Sequence, residues 1–278
     1  MEKTREGLVF ALRQPSRLLT AAEVMHLLPS AYVWKRAGEG LISLYIVVIR
    51  RRVLVPILLG LTWVAVFGLV LAGLLPERRV IVIDPGHGGI DGGTSAGDLL
   101  EKDVNLRMGH ILRRVLEAHQ YQVVMTRTDD SDVSHFVPEG GSRYRRDLKG
   151  RVRLVGRVRP ISLISIHVNW HKDRWRRGAI VYYQDGETDS RLLAQAIQKE
   201  LNALQPVQRQ VRAADFYVLR NTDAPAVLVE IGFISNPEDR KLMLDEAYLT
   251  KQAEAIRAGL EVFLSQLMPA PQSSRGLR

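Results

Sequence analysis

Twenty-three consecutive residues, Val53 to Leu75, carry no charged side chain. A helix apolar on every side for that length has no polar face to give to water, and roughly 20 such residues cross the hydrocarbon core of a bilayer. The stretch is expected to divide the chain into a 1–52 basic cytoplasmic arm, a 53–75 transmembrane anchor, a 77–268 folded domain and a 269–278 flexible tail. Met1 to Arg52 holds nine Lys/Arg against four Asp/Glu, a local net of +5 out of +9 for all 278 residues. Positive flanks stay inside, so the domain is expected outside the cell membrane, on a single-pass anchor with a cytoplasmic amino terminus. A signal peptide cut near Ala72 competes with this reading, but the apolar core of such a peptide is ordinarily about 7–15 residues, so an uncleaved anchor is favoured. Residues 1–40 show no periodicity and read as short helices or loosely ordered chain. Leu41 to Ile49 is apolar but too short to span.

Beyond Pro76, short apolar runs alternate with longer amphipathic ones. The pattern predicts strands at Val80–Asp84, Gln122–Thr126, Leu163–His167, Ala179–Tyr183, Phe216–Leu219 and Ala226–Ile231. It predicts helices at Lys102–His119, Arg143–Val158, Thr188–Leu204 and Glu246–Leu267, with a short one opening after Asn236-Pro237, an N-cap followed by proline at the first helical position. The fold class is α/β: a twisted, mostly parallel sheet with helices on both faces, preceded by one transmembrane helix. In such sheets, sites gather beyond the carboxyl ends of the strands.

With no cysteine, the chain has no disulfide, thiolate metal site or cysteine nucleophile, and any metal must be held by histidine and carboxylate. The basic balance alone does not make a nucleic-acid binder: aromatic interleaving, an RNP-like strand and a helix-turn-helix pattern are all missing. Ser165 lacks the G-x-S-x-G elbow of a serine hydrolase.

Four residues stand where a strand ends or a helix begins. His87 follows Val80-Ile-Val-Ile-Asp-Pro-Gly86, a buried strand stopped by a Pro-Gly turn. His167 closes Leu163-Ile-Ser-Ile-His167, and taken alone it reads equally as a core histidine bonded to a carbonyl. Glu230 interrupts Ala226-Val-Leu-Val-Glu-Ile231, where a carboxylate is costly unless paired, protonated or beside a metal. Glu101 opens the first long helix, a position the helix dipole favours for any acid. Two imidazoles and one carboxylate make a tetrahedral Zn2+ site with one open position, the pattern of hydrolytic zinc. A further, unligated carboxylate is then needed to move protons, and Glu230 suits that role. His26, His110, His119, His135 and His171 have no strand-end setting and read as solvated or packing residues. Asp84 either orients a ligating imidazole or caps the Pro-Gly turn. Asn169 faces either substrate or the turn. Arg143, Arg145, Arg146, Lys149, Arg151, Arg153, Arg157 and Arg159 read as one wet helix face, with a second reading in which some grip substrate carboxylates.

Asp84-Pro-Gly-His-Gly-Gly-Ile-Asp-Gly-Gly93, Leu100-Glu-Lys-Asp-Val-Asn105, Ser165-Ile-His-Val-Asn169 and Val229-Glu-Ile-Gly-Phe-Ile-Ser-Asn236 together resemble, in order, the signature blocks of the zinc-dependent N-acetylmuramoyl-L-alanine amidases of the type-3 amidase family. The resemblance runs from about Val80 to Leu267. It implies that His87, Glu101 and His167 hold Zn2+, that Glu230 is the catalytic glutamate, and that the substrate is peptidoglycan, cut between the lactyl group of muramic acid and L-alanine of the stem peptide. A non-catalytic peptidoglycan-binding protein on the same fold, or a zinc hydrolase cutting another bond of the polymer, are the competing functions.

Met125-Thr-Arg-Thr-Asp-Asp130, Pro138-Glu-Gly140, Arg143-Tyr-Arg-Arg146 and Asp147-Leu-Lys-Gly-Arg151 resemble the family's subgroup from endospore-forming bacteria. That resemblance implies action on spore cortex in the forespore intermembrane space, ahead of a partner deacetylase with which it forms muramic-δ-lactam. Trp170 departs from the family, which usually has a small residue there, and is expected to narrow or reshape the groove mouth. The stretch between Val168 and Arg212 shows no inserted regulatory helix of the cell-division type, which implies an open cleft or control by a separate activator protein.

Overall fold

The computed structural model describes residues 31–35, 45–49, 51–74 and 79–267, with side chains of the first unit described only over 55–68. Most of the arm and the 269–278 tail lie outside the described residues. The chain divides into two units, 1–77 and 78–278.

In the first unit, β1 (Ala31–Lys35) pairs antiparallel with β2 (Tyr45–Ile49). Over 31–35, β1 takes the place of the short helices or loose chain expected for residues 1–40, because its aromatic and β-branched residues suit a pleated ladder; the rest of that range lies outside the described residues. Helix α1 (Arg51–Leu74) follows. Ile57, Leu58, Leu59, Leu61, Trp63 and Phe67 are all exposed on it, so no side of its described part is buried. Among residues whose side chains are described, which in α1 are only 55–68, no helix is long and apolar enough to cross a membrane.

The second unit is built on a six-stranded sheet of order β6-β3-β7-β10-β8-β9: β6 (Gln122–Met125), β3 (Val80–Pro85), β7 (Ser162–Asn169), β10 (Ala226–Phe233), β8 (Ile180–Tyr183) and β9 (Arg212–Ala213). All neighbours run parallel except β10 and β8, so the sheet is mixed but mostly parallel. Side chains alternate between its faces. Ile81, Ile83, Ile164, Ile166, Val227 and Val229 bury one face under α2 (Glu101–Ala118), α4 (Thr188–Asn202) and α7 (Glu246–Leu267). The opposite face holds a smaller core of Val82, Leu163 and Leu228 under α3 (Arg143–Val158) and the single turn α5 (Tyr217–Arg220). By the same alternation, Asp84, Ser165, His167 and Glu230 project on that second face, toward the carboxyl ends of their strands.

Phe216–Leu219 is not a strand. Tyr217 to Arg220 forms one helical turn that buries Val218 and Leu219 together, and a four-residue apolar run does not distinguish the two by periodicity. The sheet's edge beside β8 is instead β9. Two more strands, β4 (Ser95–Ala96) and β5 (Leu99–Leu100), form a small hairpin that delivers the chain to Glu101. Asn236 caps α6 (Pro237–Leu244) as expected, accepting from the amides of Glu238 and Asp239.

Candidate metal centre and active site

Glu230 on β10 is the register partner of His167 on β7, which brings two of the four sequence candidates side by side. His87 arrives from the turn after β3 with φ 61, a left-handed conformation that is strained for a histidine and characteristic of functional turns. Glu101 joins them from the first residue of α2. Ligands held about 2.0–2.1 Å from a tetrahedral zinc lie about 3.3 Å from one another. Glu101 Oε1 is 3.2 Å from His87 Nε2 and 3.0 Å from His167 Nδ1, and ligand atoms of all three residues lie within 4.8 Å of each other. The donor set fits a zinc ion in both type and spacing.

The glycines of the motif follow from this convergence. A Cβ on Gly86 would sit 2.2 Å from the His167 ring, and one on Gly93, which has φ +67, would sit 2.6 Å from Glu101 Oε2. Any larger residue at either position would displace a ligand.

Burial lowers the proton affinity of His87, but Glu101 and then Asp91 outweigh it and raise its pKa to about 9. Burial opposes ionisation of Glu101 as well, yet the two imidazoles hold its carboxyl well below the usual range. A metal binds the neutral imidazole, so loading displaces the His87 proton and affinity weakens as pH falls below about 9. Glu230 behaves oppositely. Burial first, and then repulsion from Glu101, raise its pKa to about 8, with His87 pulling it back only in part. Its Oε2 is buried without a hydrogen-bond partner. An orphaned acid oxygen beside three candidate ligands marks a group placed to act on something bound there.

Several residues that hold the site were not legible as such. Asp91 Oδ2 lies 2.9 Å from His87 Nδ1 and orients that ring, one of the two roles open to Asp84 from the sequence. Asp84 is buried among Thr126, Ser165 and Arg151 and neither touches an imidazole nor caps the turn. Arg151 is 2% exposed, which corrects its placement on a wet helix face. It donates to Asp84 Oδ1 (2.6 Å), Asp147 Oδ2 (2.8 Å) and the carbonyls of Pro85 (2.8 Å) and His87 (2.7 Å). Arg127, also buried, donates to the carbonyls of Pro85, Gly86 and Lys102. Two guanidinium groups thus clamp the backbone of the turn that presents His87, while Asn105 ties Gly86 O to Glu101. The other members of the basic run are exposed or partly so, as expected of a solvated face. Asn169 is half-buried and pairs in register with Phe233. His110 and His119 bond backbone carbonyls and His135 packs on Phe136; His26 lies outside the described residues.

Residues 81–262 match the family model Amidase_3, N-acetylmuramoyl-L-alanine amidase. Over 200 residues the chain is 34% identical to the germination-specific N-acetylmuramoyl-L-alanine amidase of Bacillus subtilis (strain 168), covering 70% of this chain and 83% of that one. It is 35% identical over 194 residues to the probable cell wall amidase LytH of Staphylococcus aureus, covering 68% and 60% respectively. Among solved structures it is similar to the CwlD amidase of Clostridioides difficile in complex with the GerS lipoprotein, with TM-score 0.64, 34% identity, and coverage of 68% of this chain and 99% of that chain. The four blocks, their convergence at one end of the sheet and these likenesses agree: the chain belongs to the type-3 family of N-acetylmuramoyl-L-alanine amidases.

Proposed function

We propose that this chain hydrolyses the amide between the lactyl group of N-acetylmuramic acid and L-alanine of the stem peptide, with His87, Glu101 and His167 holding zinc and Glu230 moving the protons. The observation that carries the reading is the buried, partnerless Oε2 of Glu230 beside three converging candidate ligands. Held by His87, Glu101 and His167, a zinc ion would lower the pKa of a water to about 7, would polarise the amide carbonyl and would favour the ionised form of Glu230. Glu230 accepts the proton of the attacking water and hands it to the departing amine of L-alanine, which leaves neutral. Asp91 keeps the His87 ring in one orientation, and the buried arginines keep its turn in place.

Helix α1, apolar and exposed around its described length, anchors the chain in the cell membrane, with the arm inside and the 78–278 unit outside. Spore cortex is the substrate favoured by the likeness to the germination-specific amidase of Bacillus subtilis and to CwlD. The product is a muramic acid whose lactyl carboxyl is free, and removal of its N-acetyl group by a deacetylase acting next sets up an internal lactam. A lipoprotein partner is favoured because the CwlD relative was solved in complex with one. The test is mass spectrometry of cortex and vegetative peptidoglycan digested side by side. Free stem peptides beginning at L-alanine, released faster from cortex, are expected. Cleavage of a glycosidic bond or of a peptide bond inside the stem would refute the assignment.

A further inference from the structure

Only two tryptophans occur in residues 78–278, Trp170 and Trp175, and both are on the surface of one loop, 56% and 89% exposed. Large indole faces left in water mark contact surfaces more often than packing accidents. The same loop carries Lys172, Arg174, Arg176 and Arg177 against a single acid, Asp173, a net of +3. It is not a loose excursion. Asp173 accepts from Trp175 N within the loop (3.0 Å), His171 N donates to Ser235 Oγ (3.1 Å), and Asn236 Nδ2 donates to the Arg174 carbonyl (2.7 Å). Both ends leave the sheet at the site: β7 runs out through His167 and Asn169, and β8 begins at Ile180, the register partner of Glu230.

We propose that Trp170–Arg177 is a substrate lip, in which the indoles cover the apolar faces of hexosamine rings flanking the reacting muramic acid and the exposed cations Lys172, Arg174 and Arg176 pair with free carboxylates of the stem peptides. This rests on the amidase reading above. A glycan strand bearing peptide acids is complementary to the loop on both counts, and guanidinium groups bind carboxylates with fixed geometry. The loop's position beside Glu230 favours the polymer over a lipid surface as the occupant.

The test uses the full chain, zinc-loaded, in detergent micelles and in vesicles of zwitterionic and anionic phospholipid, with intact sacculi as substrate. Replacing Trp170 and Trp175 together with Ala is expected to raise KM about ten-fold or more while kcat falls less than about two-fold. Charge reversal by K172E, R174E and R176E should raise KM at low salt, with the effect fading at high salt. Zinc content and melting temperature at wild-type values separate these effects from misfolding. Variants that keep wild-type KM, or that lose kcat alone, overturn the lip, as does a KM rise seen only in vesicles, which assigns the loop to lipid. If the wild-type chain itself releases no L-alanine amine from a soluble muramoyl peptide, it is the amidase reading that fails.

Discussion

Replacing Glu230 with Gln is expected to lower amide turnover about 10³-fold or more while leaving zinc content unchanged, because in the proposed mechanism one carboxyl serves both proton transfers and general acid–base catalysis contributes about 10²–10⁴-fold. Gln preserves shape and removes only the titrating oxygen. The same substitution carries a stability signature of opposite sign. In the metal-free protein the pKa of Glu230 is raised from 4.5 to about 8 by burial and by Glu101. A raised folded-state pKa gives stability that is complete below the unfolded value and lost as pH climbs through the folded one. Chelator-stripped wild type should therefore lose stability between about pH 4.5 and pH 8 relative to the Glu230→Gln protein, read as the difference between their melting temperatures. Turnover within ten-fold of wild type would remove Glu230 from the mechanism.

Arg151→Met is expected to cost about 3–5 kcal/mol of folding stability, the usual penalty for removing one partner of a buried ion pair. Two acids lose their partner at once: Asp84, whose pKa is held low by Arg151, Thr126 and Ser165 against the opposing effect of burial, and Asp147. The carbonyls of Pro85 and His87 lose a donor as well. Lysine should not rescue, since one ammonium does not reach two carboxylates and two carbonyls in the fork geometry that a guanidinium provides. Weaker zinc binding should accompany the loss, because the clamped backbone is the turn that carries His87. A loss of less than about 1 kcal/mol in unfolding free energy, from denaturant titration, would show that the clamp is dispensable.

Three of the four site groups were legible because each breaks a local rule, whereas Glu101 stands at a helix start that favours any acid and became legible only beside them. His167 and Glu230 are polar residues in strands that are otherwise apolar, and His87 sits in a glycine-flanked turn with no local reason for an imidazole. The residues that hold them in place were not legible, for a physical reason. Arg151 is one of eight cations between residues 143 and 159, and nothing in that run says which one turns inward; its partner Asp84 lies 67 positions away on β3. Arg127 follows a strand as any solvated arginine might, and only the fold brings the Pro85 and Gly86 carbonyls to it. Asp91 was in view within the motif, but its reach back to His87 depends on the left-handed turn. The strand expected at Phe216–Leu219 failed because four apolar residues fit one helical turn as well as an extended segment.

Zinc titration of the chelator-stripped full chain, run at pH 6 and pH 8 beside the His87→Ala and His167→Ala variants, tests most directly whether three distant side chains share one cation. The expected result is one zinc per wild-type chain, bound more weakly at pH 6 because the His87 proton must leave, and loss of tight binding in both variants. Either variant binding one zinc as tightly as wild type would contradict the account.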